Sequence, residues 1–140
     1  MAKYASNTWP SDRWPNFSYN ELKCKHSGLC DIDEDMMDAL QSLRETIGRG
    51  LTITSGYRHE SHPIESAKIE KNGRGGAHTT GKAIDIACDR ELAYNVLREA
   101  LRQGFTGIGI KQKGDGRFIH LDTITDVDDF HVPRPTIWSY

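Results

Sequence analysis

The run Gly75-Gly-Ala-His-Thr-Thr-Gly-Lys-Ala-Ile-Asp-Ile86 constrains the fold more than any other part of the chain. Ala83 to Ile86 reads as a strand, and because strand side chains alternate, Ile84 and Ile86 face one side while Ala83 and Asp85 face the other. With the isoleucines on the core, Asp85 is directed away from them, into a cleft. Gly81 lets the chain turn back, so that His78 reaches the same point. A second strand-like run, Phe118-Ile-His-Leu-Asp122, offers His120 as a third ligand. Two imidazoles and one carboxylate form a common set for a catalytic zinc that keeps one position open for water. Spacing alone does not separate this layout from a chance pairing of His and Asp.

The rest of the chain supplies the scaffold. Met1 to Phe17, with Trp9-Pro10 and Trp14-Pro15, has no usable periodicity, and residues before proline are pushed out of helix; this predicts an arm (1–17) preceding one domain (18–140). Its tryptophans pack on the domain surface or touch a glycan or peptide. Ser18-Tyr-Asn-Glu21 has capping-box spacing for a short helical turn. The capping signal returns at Asp31-Ile-Asp-Glu34, and Met36, Met37, Leu40, Leu43 and Ile47 follow at helical spacing until Gly48 and Gly50. Leu51 to Thr54 alternates like a half-buried strand and ends at Ser55-Gly56. The segment with His59 and His62, running to the glycine-rich Lys71–Gly76, reads as a mobile loop. Asp89 opens a second amphipathic helix carrying Leu92, Val96, Leu97, Ala100 and Leu101 on one side, closed by Gly104. Phe105 to Ile110 and Arg117 to Asp122 then form two strands joined by a hairpin connection, Lys111–Gly116. Thr123 to Tyr140 is an extended tail that packs Trp138 back on the body, and its Asp126, Asp128 and Asp129 are solvated rather than a calcium site. These elements add up to a small α+β domain: a central, mainly antiparallel sheet backed by two longer helices, with the site in a cleft at the strand ends.

A chain of 140 residues fits one domain able to bury about two thirds of its unfolded surface. A net charge of -2 gives no basic character for nucleic acid or anionic lipid. No apolar run approaches the roughly 20 residues that span a bilayer, and the N-terminus lacks the apolar centre of a signal peptide, so a soluble, monomeric protein made in the cytoplasm is expected. The three cysteines, Cys24, Cys30 and Cys88, form an odd set best read as free thiols, although Cys24 and Cys30 with Cys88 offer a second, structural zinc as an alternative.

His78, Gly81, Ala83 and Asp85, followed by His120 with Asp122, resemble the signature of the zinc-dependent M15 peptidases, H-x-x-G-x-A-x-D and then H-x-H or H-x-D. Ile53-Thr-Ser-Gly-Tyr-Arg58, Gly104-Phe-Thr-Gly-Ile-Gly-Ile110 and the closing Ile137-Trp-Ser-Tyr140 are similar to the small, often phage-encoded branch. The resemblance runs from about Tyr19 to Tyr140 and implies a hedgehog/D-Ala-D-Ala peptidase-like fold. It further implies one catalytic Zn2+ on His78, Asp85 and His120. The implied activity is carboxypeptidase or endopeptidase cleavage of D-amino-acid-containing bonds in peptidoglycan stem peptides, as in a phage endolysin that reaches the wall after release or delivery by another protein. It makes Arg58, with Tyr57 beside it, the group that holds the substrate; an arginine fork suits a carboxylate.

Two positions depart from the family pattern. A serine usually stands two residues before the first ligand, where this chain has Gly76, and an acidic residue usually stands three before the last histidine, where it has Arg117. The general base therefore falls to Asp122, which shares a strand face with His120, or to Asp115 in the hairpin loop; Asp122 alternatively orients His120. Arg117 also keeps open a different class of function, a non-catalytic zinc-containing wall-binding module or virion structural protein.

Overall fold

The computed structural model describes residues 1–128 and 130–140; Asp129, placed above among the solvated aspartates, lies outside the described residues. The strands are β1 (Ala2–Tyr4), β2 (Cys30–Ile32), β3 (Thr52–Ser55), β4 (Ala83–Ala87), β5 (Gly107–Lys111), β6 (Phe118–Asp122) and β7 (Thr136–Ser139). The helices are α1 (Tyr19–Leu22), α2 (Glu34–Ile47), α3 (Pro63–Asn72) and α4 (Arg90–Gln103). The main sheet has the order β3-β4-β6-β5-β7, antiparallel except where β7 runs parallel to β5.

Both long helices end at the expected glycines, Gly48 and Gly104, and α4 starts after Asp89, whereas α2 is capped by Asp33 and the expected Asp31 lies in β2. The Asp33 carboxylate accepts the Met36 N–H at 2.9 Å, and Gly48, in the left-handed region at φ 72°, closes α2. Met36, Met37, Leu40 and Leu43 are fully buried and share one core with Val96 and Ala100 of α4 and with Ile84, Ile86, Ile108, Ile119 and Leu121 from one face of the sheet. The opposite face therefore carries Asp85, His120 and Asp122. The expected stripe of α4 is corrected at one edge. Leu101 is exposed, while Glu99 is buried with Arg98 at 3.2 Å and Arg102 at 3.1 Å.

Two expectations are revised. The segment read as a mobile loop contains α3, started by His62 and Pro63 and closed by Gly73. Its buried residue is Glu65, so no apolar stripe announces it. The N-terminal segment is built into the body: β1 pairs antiparallel with β2. Trp14 is fully buried, donating through Nε1 to Asp38 at 2.9 Å, and Trp9 donates to the Phe17 carbonyl at 2.9 Å. Tyr4, Trp9, Trp14 and Tyr19 meet ring on ring, and the hydroxyl of Tyr4 donates to Glu34.

Candidate metal centre

β4 and β6 place Asp85 directly opposite His120. His78 enters from a 3-10 turn, Ala77–Thr80, which Gly81 ends at φ 74°; a Cβ there would come within 2.4 Å of the Asp31 carbonyl. The His78 Nδ1 bonds the Gly56 carbonyl at 2.8 Å, and since a carbonyl only accepts, Nδ1 carries the proton and Nε2 presents its lone pair. That Nε2 lies 3.3 Å from Asp85 Oδ1, and His120 Nδ1 lies 3.1 Å from the same oxygen. The three ligand atoms fall within 4.8 Å of one another, the spread expected around a single ion.

The donor set fits a divalent metal of zinc type. Each imidazole has one nitrogen in the cluster and the other committed to an acceptor behind it, the usual arrangement for ligating histidines. Behind His120 that acceptor is Asp122 Oδ2, at 2.8 Å from Nε2. The histidine side chains are 7% and 4% exposed against 14% for Asp85, so the cluster opens to solvent over the carboxylate. Burial pushes the Asp85 carboxyl up, but the His120 and His78 imidazoles beside it, in their protonated forms, outweigh it and hold the group well below the usual carboxylate range. Burial likewise pushes His120 down, and Asp122 and Asp85 more than reverse it, leaving the imidazole more basic than usual.

Neither candidate base offers a free carboxylate oxygen beside the ligand atoms. Asp122 is fully buried, and besides His120 it accepts Arg134 Nε on Oδ1 at 2.9 Å and Arg134 Nη2 on Oδ2 at 2.8 Å. The Ile124 N–H adds a contact of 3.3 Å to Oδ1. Asp115 lines a cavity of about 640 Å³ with Arg49, Cys88, Asp89, Arg90 and Arg117, which contains none of the three ligands.

Arg58 is tied to the first ligand through the backbone, its N–H donating to the His78 carbonyl at 3.1 Å. Its Nη1 bonds Glu65 at 3.2 Å, and the side chain stays 20% exposed. Tyr57 is different: its ring belongs to the core, where burial raises the hydroxyl to about 12. Gly76, where a serine was expected, donates its N–H to Glu65 Oε1 at 2.7 Å. A Cβ there would come 2.9 Å from the buried Glu65 Oε1, closer than ordinary van der Waals contact. The cysteines are free and buried, and among the described residues they join no metal-ready group.

The pairing of Arg134 with Asp122 was not anticipated, and Trp138, expected to pack back on the body, does so beside His120. The Arg134 guanidinium lies 5.0 Å from the Trp138 ring, and that ring lies 5.2 Å from His120. The one sequence signal is an arginine held between Pro133 and Pro135 in an otherwise extended tail.

A family model described as Peptidase M15 matches residues 15–122, a span that contains His78, Asp85 and His120. No curated protein and no solved structure gave a significant match to the chain.

Proposed function

Because this chain belongs to the peptidase M15 family, we propose that it is a zinc-dependent peptidase that hydrolyses D-amino-acid-containing bonds of peptidoglycan stem peptides. The observation that carries the reading is the convergence of His78 Nε2, Asp85 Oδ1 and His120 Nδ1 on one point. His78, Asp85 and His120 would hold the zinc, which when bound polarises a carbonyl and lowers the pKa of water to about 7. The chain's own groups do the rest. Arg58 spends Nη1 on Glu65, leaving the remainder of its fork for a peptide carboxylate and holding the scissile bond near the ligands. Tyr57 backs that arginine from the core rather than touching substrate. Asp122 acts on His120 rather than on water, since its oxygens are already taken. The setting proposed with this activity is phage lysis by a monomeric endolysin. Among the described residues no helix is long and apolar enough to cross a membrane.

A second reading, a metal-holding module that binds wall peptide without cutting it, is favoured by one observation: Arg117 bonds the Gly114 carbonyl at 3.0 Å where relatives place an acid. Zinc content, measured together with release of amino groups from purified peptidoglycan for wild type and His120→Ala, separates the two. The peptidase reading expects one zinc per chain and hydrolysis that disappears in the variant. Zinc without hydrolysis of wall or of D-Ala-D-Ala peptides gives the binding module; no zinc removes both.

A further inference from the structure

We infer that Arg134 is a positioning residue for the metal centre: it clamps Asp122, and through Asp122 fixes the His120 ring with Nδ1 turned to the other two ligands. The inference rests on the metal-centre reading above and extends it beyond residue 122, where the family match ends.

The contact is a two-pronged fork, Nε to Oδ1 at 2.9 Å and Nη2 to Oδ2 at 2.8 Å, made by side chains that are 7% and 0% exposed. Oδ2 is also the oxygen that meets His120 Nε2 at 2.8 Å, so the guanidinium sets the plane in which the imidazole is held. A buried carboxylate needs a compensating cation. An imidazole that ligates a metal is neutral, so it cannot be that cation, and among the described residues Arg134 is the charged partner left to Asp122.

The neighbouring strand is shaped for this arrangement. Gly107 lies opposite Asp122 in the register and Gly109 opposite His120. A Cβ on Gly107 would come 2.2 Å from Asp122 Oδ1, and one on Gly109 would come 2.6 Å from Trp138 Nε1. Both clashes fall on groups packed around the clamp. Trp138 then covers the assembly, 5.0 Å from the guanidinium and 5.2 Å from the His120 ring. β7 delivers it through Thr136–Ser139 paired with β5. The C-terminal segment thus acts as a latch on the back of the third ligand.

The test is zinc affinity by competition with a chromophoric chelator, with the absorption bands of the cobalt-loaded protein as a geometric readout. Arg134→Gln should weaken zinc by about 10–100-fold and change the cobalt bands. Arg134→Lys, a point charge without the fork, should fall between. In an Asp122→Asn background, Arg134→Gln should add nothing, because its effect passes through Asp122. Should Arg134→Gln fail to fold, Arg134→Lys and Gly107→Ala carry the test, the latter displacing Asp122 with the arginine intact and reproducing the loss. Zinc affinity within about twofold of wild type in these variants overturns the inference. So does an Arg134→Gln loss that persists undiminished in Asp122→Asn, which would mark a merely structural role. Wild-type protein that binds no zinc sinks the metal-centre reading itself, a result distinguishable from either.

Discussion

Glu65 is a carboxylate with no accessible surface, and three groups converge on it. The Gly76 N–H is 2.7 Å away, Arg58 Nη1 3.2 Å and Lys68 Nζ 3.7 Å. It therefore joins α3, the turn leading into His78 and the arginine proposed to hold substrate. Glu65→Ala removes two hydrogen bonds of the charge-assisted kind, each worth roughly 1.5–3 kcal/mol. Arg58 is partly exposed and recovers some hydration, so about 3 kcal/mol is the expected net loss. Unfolding entropy of about 2.1 cal/mol/K per residue over 140 residues converts this to a fall in Tm of about 10 °C. Glu65→Gln keeps an acceptor for Gly76 and loses only the charge, so about 1–1.5 kcal/mol, or 3–5 °C, is expected.

The pH dependence of the same pair of proteins gives a second check. Burial pushes the Glu65 carboxyl up, but the Gly76 N–H, Lys68 and Arg58 outweigh it, and the folded value lies below that of an ordinary glutamate. A depressed folded pKa means stabilisation that is complete above the unfolded value, about 4.3, and is lost as pH falls through the folded value. Urea unfolding of wild type and Glu65→Gln should thus show a gap near neutrality that closes in acid. A gap that stays constant down through the acid range, or no gap at pH 7, would refute the assignment of Glu65 as a buried, charged junction.

The N-terminal segment gives another test. Trp14→Ala removes a fully buried indole and the partner of Asp38, so a loss of about 3–5 kcal/mol is expected in urea unfolding; a loss under about 1 kcal/mol would mean that the segment is a detachable arm. Zinc binding should also depend on pH in a stated direction. His120 is more basic than usual because of Asp122 and Asp85, so zinc must displace a proton from it; affinity should rise with pH and level off above the folded His120 value. In the zinc-free protein the same raised value contributes stability that is full below about 6.5 and lost as pH rises through the folded value. Calorimetric titration at several pH values, counting released protons, reads this; zinc affinity independent of pH between 5 and 8 would contradict it.

The parts of the fold that were legible in the sequence are those where a local pattern coincides with burial. Met36 through Leu43 recur at helical spacing because that face is the core, and the alternation of Ile84 and Ile86 around Asp85 puts the ligand on the other face. The convergence of the candidate ligands is legible for the same reason, since His78, Gly81 and Asp85 lie within one turn and strand. What stayed hidden depends on contacts that sequence does not bring together. Helix α3 is organised by a buried charge, and an acidic residue in a glycine-rich, charged stretch reads as solvated. Trp14 looked superficial because its neighbours Tyr4 and Asp38 come from either side along the chain. Arg134 stands 12 residues from Asp122 in a stretch without periodicity, so nothing local points to the pairing. The alternation rule that offers Asp122 as a candidate base gives a face but not what else occupies it, so its contacts with Arg134 were hidden.

The two histidines are held in different ways, and the difference has energetic meaning. His78 is fixed by a neutral backbone carbonyl on Gly56, an acceptor that costs nothing to keep in place once β3 has formed. His120 is fixed by an ion pair with almost no solvent contact, and such pairs return little net stability because both partners must be dehydrated. A second carbonyl would have sufficed to choose the tautomer. The Asp122 carboxylate does something the carbonyl does not: it makes the His120 imidazole more basic than usual. The cost of burying Asp122 and Arg134 is therefore best understood as borne by the site rather than by the fold, and Gly107 and Gly109, which leave room for Asp122 and Trp138, belong to the same arrangement.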